Sequence, residues 1–449
     1  MFKYAILGVA LCAPLCAQAA TDAAGAASES ELKKLRDEVQ QLEIRLQQAE
    51  AASQQAKEAA TQAQAAVQQA SHPTTAVNAF NPAIALILDG TYARLRQDPG
   101  VPSTGFATSP NNNGYARGFN LGESELSVMA NIDPLFRGVG TFSLLPGGSL
   151  AVENAFVQTT GLDSGLSLKF GRYFSGLGYL NEQHAHAWDF VDQPLVYLSF
   201  WDNQLADDGV QLKWVAPTDI FIELGAELGN GRGFPGSNPQ TNGTPAKVLF
   251  AHVGDDAGVS NSWRAGFSLH QTRQSAWTST GVPDLRGTLG GVTESFSGSA
   301  RTAGADFVWK YAPDGNNTIT NFKLQGEYFQ RRQSGTLTYN LLTTDTYAVT
   351  QSGWYAQAVY QFMPMWRAGM RYDRLNPGTA QVGLLNVANV ISNYAYTPTR
   401  KTMMLDYSPS EFSRVRIQVA RDNSRQGLTD SQLFVQYIMS MGAHGAHQF

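Results

Sequence analysis

The chain has 449 residues, of which only 15% are charged, 11% are aromatic and 43 are glycine. Soluble domains carry about 25% charged residues, so this composition argues against an ordinary soluble protein. A formal net charge of −5 is too small to mark a nucleic-acid or acidic-substrate partner, and both cysteines, Cys12 and Cys16, fall in the first twenty residues, which leaves the remainder without thiol chemistry.

Met1-Phe2-Lys3, an apolar run over 4–15 and Ala17-Gln18-Ala19 have the order of a secretory signal peptide, expected over 1–20. The run is shorter than the roughly 17 residues a spanning helix needs. Cys12 and Cys16 each follow Leu rather than the small residue a lipidation site would present. From 29 to 71 the chain contains no Gly or Pro, and Leu32, Leu35, Val39, Leu42, Leu46 and Ala49 open a 3,4 spacing that continues through Ser53, Ala56, Ala60, Ala63, Val67 and Ala70. That spacing predicts an α-helical coiled coil, about 58 Å long from 32 to 70 at 1.5 Å per residue, which points to self-association. Ser28 or Ser30 can cap it and His72-Pro73 stops it, so 72–82 is a linker.

From residue 83 the period changes to two. Trp263, Ala265, Phe267 and Leu269 alternate with Arg264, Gly266, Ser268 and His270; Val415, Ile417 and Val419 alternate with Arg414, Arg416 and Gln418. Phe322, Leu324 and Tyr328 stand against Lys323, Gln325 and Glu327 in the same way. No stretch past the signal peptide approaches 18 apolar residues, so a membrane crossing would be made by strands, which only a closed barrel permits. Short breaks at Asp133-Pro134, 162–165, 216–219, 255–260, 312–315, Met363-Pro364 and 408–411 alternate with longer polar connections at 96–115, 230–246, 273–301, 331–346, 375–398 and 423–431, with a tight Pro146-Gly-Gly148 and with the aromatic segment 171–208. Short turns on one side and long loops on the other predict an all-β fold over 83–449, a sixteen-stranded antiparallel transmembrane β-barrel preceded by the coiled coil. Asn230 to 246 and the other connections carry no catalytic signature: the chain contains no G-x-S-x-G, H-E-x-x-H, P-loop or dinucleotide fingerprint, so no enzyme and no cofactor is expected.

The aromatic segment is too long for a tight connection, and Tyr173, Phe174, Tyr179, Trp188, Phe190, Tyr197, Phe200 and Trp201 argue against disorder. It is expected to fold into the barrel, over about 173–207, and narrow it. With the polar face of each strand turned inward, Lys169, Lys213, Arg264, Lys310, Lys323, Arg367, Arg371, Arg414 and Arg416 become basic lumen residues, and Glu125, Glu223, Glu227, Asp306, Glu327 and Asp406 acidic ones. His184-Ala185-His186 places two imidazoles on one face of an extended segment, which Asp189 or Glu182 could complete as a zinc or copper site.

The signal peptide, N-terminal coiled coil, sixteen-strand pattern, long connection after the fifth strand, Gly171-Arg172 and terminal Phe449 together resemble the trimeric porins, particularly the sucrose-porin and phosphate-selective types with N-terminal helical extensions. The resemblance implies a homotrimer in the bacterial outer membrane, in contact with its lipids, with the helix in the periplasm and small hydrophilic solutes passing through the pore. It also implies that the third loop bends inward as the constriction, so that Glu182, His184, His186, Asp189 and Asp192 form the eyelet opposite Arg367, Arg371, Arg414 and Arg416. Two alternatives stand beside this: a channel or receptor linked to zinc or copper through His184 and His186, and a structural protein that tethers the envelope through the rod.

Overall fold

The structure, a computed structural model, describes Gln40 and residues 82–99, 103–106, 115–144, 149–236, 242–279, 294–390 and 393–442, with the backbone alone over 275–279. The signal peptide, the coiled coil apart from a helical Gln40, the linker up to residue 81, Pro146-Gly-Gly148, and the tail with His444, His447 and Phe449 lie outside the described residues.

The wall is one antiparallel sheet closed on itself. Its first half consists of β1 (Ala83–Leu95), β2 (Ser124–Asn131), β3 (Phe136–Leu144), β4 (Leu150–Thr159), β5 (Leu166–Phe174), β6 (Ala206–Val215), β7 (Phe221–Gly229) and β8 (Ala246–Asp256). The second half consists of β9 (Asn261–Ser279), β10 (Glu294–Tyr311), β11 (Asn321–Tyr339), β12 (Thr343–Met363), β13 (Trp366–Asn376), β14 (Thr399–Ser410), β15 (Ser413–Asn423) and β16 (Asp430–Gly442). Two further pieces, Gly118–Leu121 and Gln381–Val382, pair with β1 and β12 beside these sixteen. Closure is made by β1, which pairs with β16 from Ala85↔Gly442 to Leu95↔Gln432 and with β2 from Ala83↔Met129 to Ile87↔Glu125. Closing the sheet leaves no row of unpaired backbone groups, the condition for a sheet to cross lipid. No described helix is long and apolar enough to do so.

Alternation decides which way each side chain faces. On β15, Arg416 and Gln418 are 1% and 0% exposed and point inward, while Ile417 and Val419 are 46% and 48% exposed and form part of the apolar exterior. Aromatic pairs sit near the turn end of the wall, with Trp366 and Tyr407 4.7 Å apart and Trp309 and Phe322 5.7 Å apart, where the Trp and Tyr rings, apolar with one polar group, suit a membrane interface.

The wall is uneven in height. Strands β2 to β7 have 8 to 10 residues, whereas β9 to β12 have 18 to 21. This corrects two expected loops. The stretch 331–346 is a hairpin, β11 and β12 pairing without interruption from Asn321↔Gln361 to Tyr339↔Thr343 around a turn in which Asn340 and Leu341 take positive φ. Within 273–301, β9 continues to Ser279 and β10 begins at Glu294. Polarity suggested loops there, but Thr336, Thr338, Thr344 and Thr346 are β-branched and suit strands.

Candidate functional site

The connection from β5 to β6, residues 175–205, turns into the barrel and meets the wall on nearly every side. Its two ends are tied by one buried amide: Asn181 Nδ2 donates to the carbonyls of Ser175 at 2.8 Å and Leu205 at 2.9 Å, and its Oδ1 accepts from Leu205 N at 2.7 Å. Gly178, at φ +69°, is required where the backbone passes the Glu327 carboxylate, because a Cβ would run into that group.

The second half of the loop carries a short helix, α1 (Leu195–Trp201), in which only Leu198 faces away from the packing. Leu195, Val196, Tyr197, Phe200, Trp201 and Leu205 pack on Phe250, Phe329, Tyr355 and Leu375, which project inward from β8, β11, β12 and β13. Trp201 meets Phe329 edge to face at 4.8 Å. The barrel interior at this level is therefore an apolar core, and the expectation of a uniformly polar inward face fails at these four positions, because the loop supplies them with an apolar partner. Glu327 anchors the polar groups nearby. Its carboxylate accepts from Tyr179 N and Leu180 N, both at 3.1 Å, from Tyr197 Oη at 2.8 Å and from Tyr355 Oη at 2.6 Å.

The first half of the loop is held by charge. Glu182 pairs with Lys213 at 3.0 Å. Asp189 bridges Lys323 and Arg367, the latter at 3.2 Å, and also accepts from Gln357 at 3.1 Å. Asp192 pairs with Arg371 at 2.9 Å and Arg400 at 2.7 Å. Arg414 and Arg416 donate to loop carbonyls, Arg414 to His186 and Trp188 and Arg416 to Trp188 at 2.8 Å, while Arg416 also pairs with Asp406. Burial alone would raise the loop carboxyls, but the cations outweigh it. Lys213 and Lys169 hold Glu182 down at about 2, Lys323 and Arg367 hold Asp189 well below the usual range, and Arg400 and Arg371 hold Asp192 down.

Each of the nine residues expected at the constriction takes part in a contact between the loop and the wall. The geometry of the histidines differs from the expectation. His184 precedes and His186 lies within a 3₁₀ turn, Ala185–Ala187, rather than an extended segment, and their rings stack at 5.8 Å. Asp189 and Glu182 do not complete a metal set with them, being engaged by Lys323, Arg367 and Lys213. The acids beside the imidazoles come from the wall: His184 Nδ1 lies 2.6 Å from Glu153 Oε2, and His186 Nδ1 lies 2.8 Å from Glu125 Oε1.

Sequence reasoning missed Glu153, Arg331, Asp373 and Arg400. Arg331 reaches the carbonyls of Ser199 and Phe200 at the end of α1, and Asp373 accepts from Leu195 N at its start. Asp373 shares parity with Arg371, a signal that was available. Glu153 carried none: the register of β3 on β4 slips between Thr141↔Asn154 and Phe142↔Val152, so Glu153 is the extra residue of a bulge, and both it and Asn154 are buried. On the turn side of the loop lies a cavity of ≈ 480 Å³ whose polar lining includes Lys310, Lys323, Arg367, Asp189 and Asp256.

No family model matches the sequence. A protein of Aquifex aeolicus described as uncharacterized is 30% identical over 403 residues, which cover 83% of this chain and 80% of that one. Among solved structures, a loop L8 deletion mutant of OmpT, an outer membrane protein of Vibrio cholerae, is similar with a TM-score of 0.50 and 12% identity over 81% of this chain and 100% of that one. OprB of Pseudomonas putida follows with a TM-score of 0.49 and 14% identity over 81% of this chain and 95% of its own. An anion-selective porin from Comamonas acidovorans has a TM-score of 0.47 and 12% identity over 80% and 99%.

Proposed function

We propose, on the footing that this chain belongs to the same family as the Aquifex aeolicus protein and folds as a closed sixteen-strand antiparallel barrel, that it is a passive porin of the bacterial outer membrane. Small hydrophilic solutes diffuse through its lumen, and loop 175–205 sets the size of the passage. The observation that carries this is the loop itself, laid across the interior of a barrel with an apolar exterior and fastened there by Lys213, Lys323, Arg367, Arg371, Arg400, Arg414 and Arg416. The likeness to an outer membrane protein of Vibrio cholerae supports the fold. Charged residues lining a narrow aqueous gap tune which ions pass, and the cavity on the turn side, with three cations against two acids, would give arriving solutes a polar antechamber. In the same proposal the protein works as a homotrimer, with the 29–71 helix on the periplasmic side and the wall against outer-membrane lipid. No covalent chemistry and no energy source is involved.

The test is reconstitution of the purified protein into planar bilayers in simple salt. Stepwise, ohmic current increments are expected. A protein that inserts and yet passes no current would exclude a porin and favour a closed receptor or an envelope tether.

A further inference from the structure

We propose that Glu125, Glu153 and His184 form a binding site for a divalent cation of the zinc type, which latches the first half of the loop to the wall. The three side chains offer ligand atoms that all lie within 4.8 Å of one another, two from the wall strands β2 and β4 and one from the loop. His184 Nδ1 stands 2.6 Å from Glu153 Oε2 and 3.3 Å from Glu125 Oε2. A single proton on Nδ1 cannot serve both oxygens, and Glu125 Oε2, on a side chain that is 1% exposed, has no hydrogen-bond donor. A buried carboxylate oxygen left in that state is costly unless a proton or a cation satisfies it.

The surroundings deepen the deficit. Glu123 stands beside the Glu153 carboxyl, so three carboxyls meet here, and among the described residues neither Glu125 nor Glu153 forms an ion pair with Lys or Arg. Glu182, Asp189 and Asp192 of the loop meet ammonium or guanidinium groups, whereas at this corner the loop offers imidazoles to wall carboxyls. Two orienting contacts pre-set the carboxylates: His186 Nδ1 holds Glu125 Oε1 at 2.8 Å, and Ser143 Oγ holds Glu153 Oε1. The β4 bulge turns Glu153 inward. His184 is 22% exposed, which leaves an approach for an ion. A mixed imidazole and carboxylate set suits zinc, with bonds of about 2.0–2.2 Å, better than calcium or magnesium, which take oxygen alone. Binding through Nδ1 puts a proton on Nε2, which now faces Asn154 Nδ2 at 3.0 Å. The Asn154 amide would turn to accept it, giving up a long 3.4 Å bond from Phe174 N.

The site does not rest on conduction, and it is read on the full-length protein in detergent, so that failure here and failure of the porin proposal are separate results. Chelator-stripped protein is titrated with zinc chloride by calorimetry beside a Glu125→Gln, Glu153→Gln double variant whose folding is verified by circular dichroism. The variant is expected to lose at least about tenfold in affinity at one site, in line with the sensitivity of metal sites to their ligands. Equal binding by both proteins overturns the proposal. Should the variant not fold, the native protein is modified with diethyl pyrocarbonate with and without zinc and mapped by mass spectrometry. Severalfold slower modification of His184 with zinc present is expected, and an unchanged rate overturns it.

Discussion

Both halves of the inserted loop bury apolar side chains, Leu177, Leu180, Trp188 and Phe190 in the first as well as those around α1 in the second, but they differ in how much charge is added. Residues 175–192 also meet the wall through Glu182, His184, His186, Asp189 and Asp192, each facing an opposite or titratable group on a strand. In 193–205 the side-chain contacts include Leu195, Val196, Tyr197, Phe200, Trp201 and Leu205, none more than 5% exposed, set among rings on β8, β11 and β12 and Leu375 on β13, while Arg331, Asp373 and Arg400 bond its backbone. Apolar burial depends little on salt or pH, whereas partly exposed ion pairs depend on both. The loop is therefore expected to release first in 175–192, its latched part, and last around α1, its fixed part.

The largest effect should come from removing the insert. Replacing 178–203 by a short Gly-Ser linker is expected to raise single-channel conductance severalfold in planar bilayers, since it clears both the apolar core and the ion pairs from the lumen. Unchanged conductance would mean that the loop does not set the passage. Next comes the fixed half alone. Trp201→Ala removes a buried ring that meets Tyr197, Phe200 and Phe329, and should cost about 3–5 kcal/mol of loop docking. Limited proteolysis should then cut within 193–205 while the wall strands stay intact. Resistance equal to the native protein would show that α1 is not the anchor.

Breaking the latch is expected to do less to docking and more to ion preference. Asp189→Asn leaves Lys323 and Arg367 facing the cavity without their shared carboxylate. Losing one partner of a fully buried pair costs about 3–5 kcal/mol, and with the two cations 19% and 23% exposed a figure of about 2 kcal/mol is expected. The reversal potential in a KCl gradient should move toward anion selectivity, and a move toward cations would show that the two basic groups do not line the conducting path.

The contrast between the halves also marks what the sequence could reveal. Strand alternation is a local signal, and it sufficed for the sixteen-strand wall and for the inward direction of Arg367, Arg371, Arg414 and Arg416. The aromatic and acidic content of the loop likewise announced a folded insert. Wall height was not legible, because a Thr-rich polar strand has the composition of a loop. The inward-facing Phe250, Phe329 and Leu375 break the polar-inside pattern only because α1 covers them, a pairing across as many as 179 positions of sequence between 196 and 375 that no local period records. Glu153 was hidden for a different reason, since a bulge changes parity by one residue.

The smallest effect distinguishes charge from packing directly. Burial would raise the Glu182 carboxyl, but Lys213 and Lys169 lower it from 4.5 to about 2. A carboxyl with a depressed folded-state pKa contributes its full stabilisation above the unfolded value and loses it as pH falls through the folded one. Loop susceptibility to proteolysis by an acid-active protease should therefore be level down to about pH 4.5 and rise between there and about pH 2, with Asp189 giving way at still lower pH because Lys323 and Arg367 hold it further down. In Glu182→Gln the Glu182 share of that rise should vanish, while cleavage within 193–205 follows the native pH profile. If cleavage of 193–205 rose in parallel with that of 175–192, the halves would be releasing together, and the distinction between a fixed and a latched part of the loop would be lost.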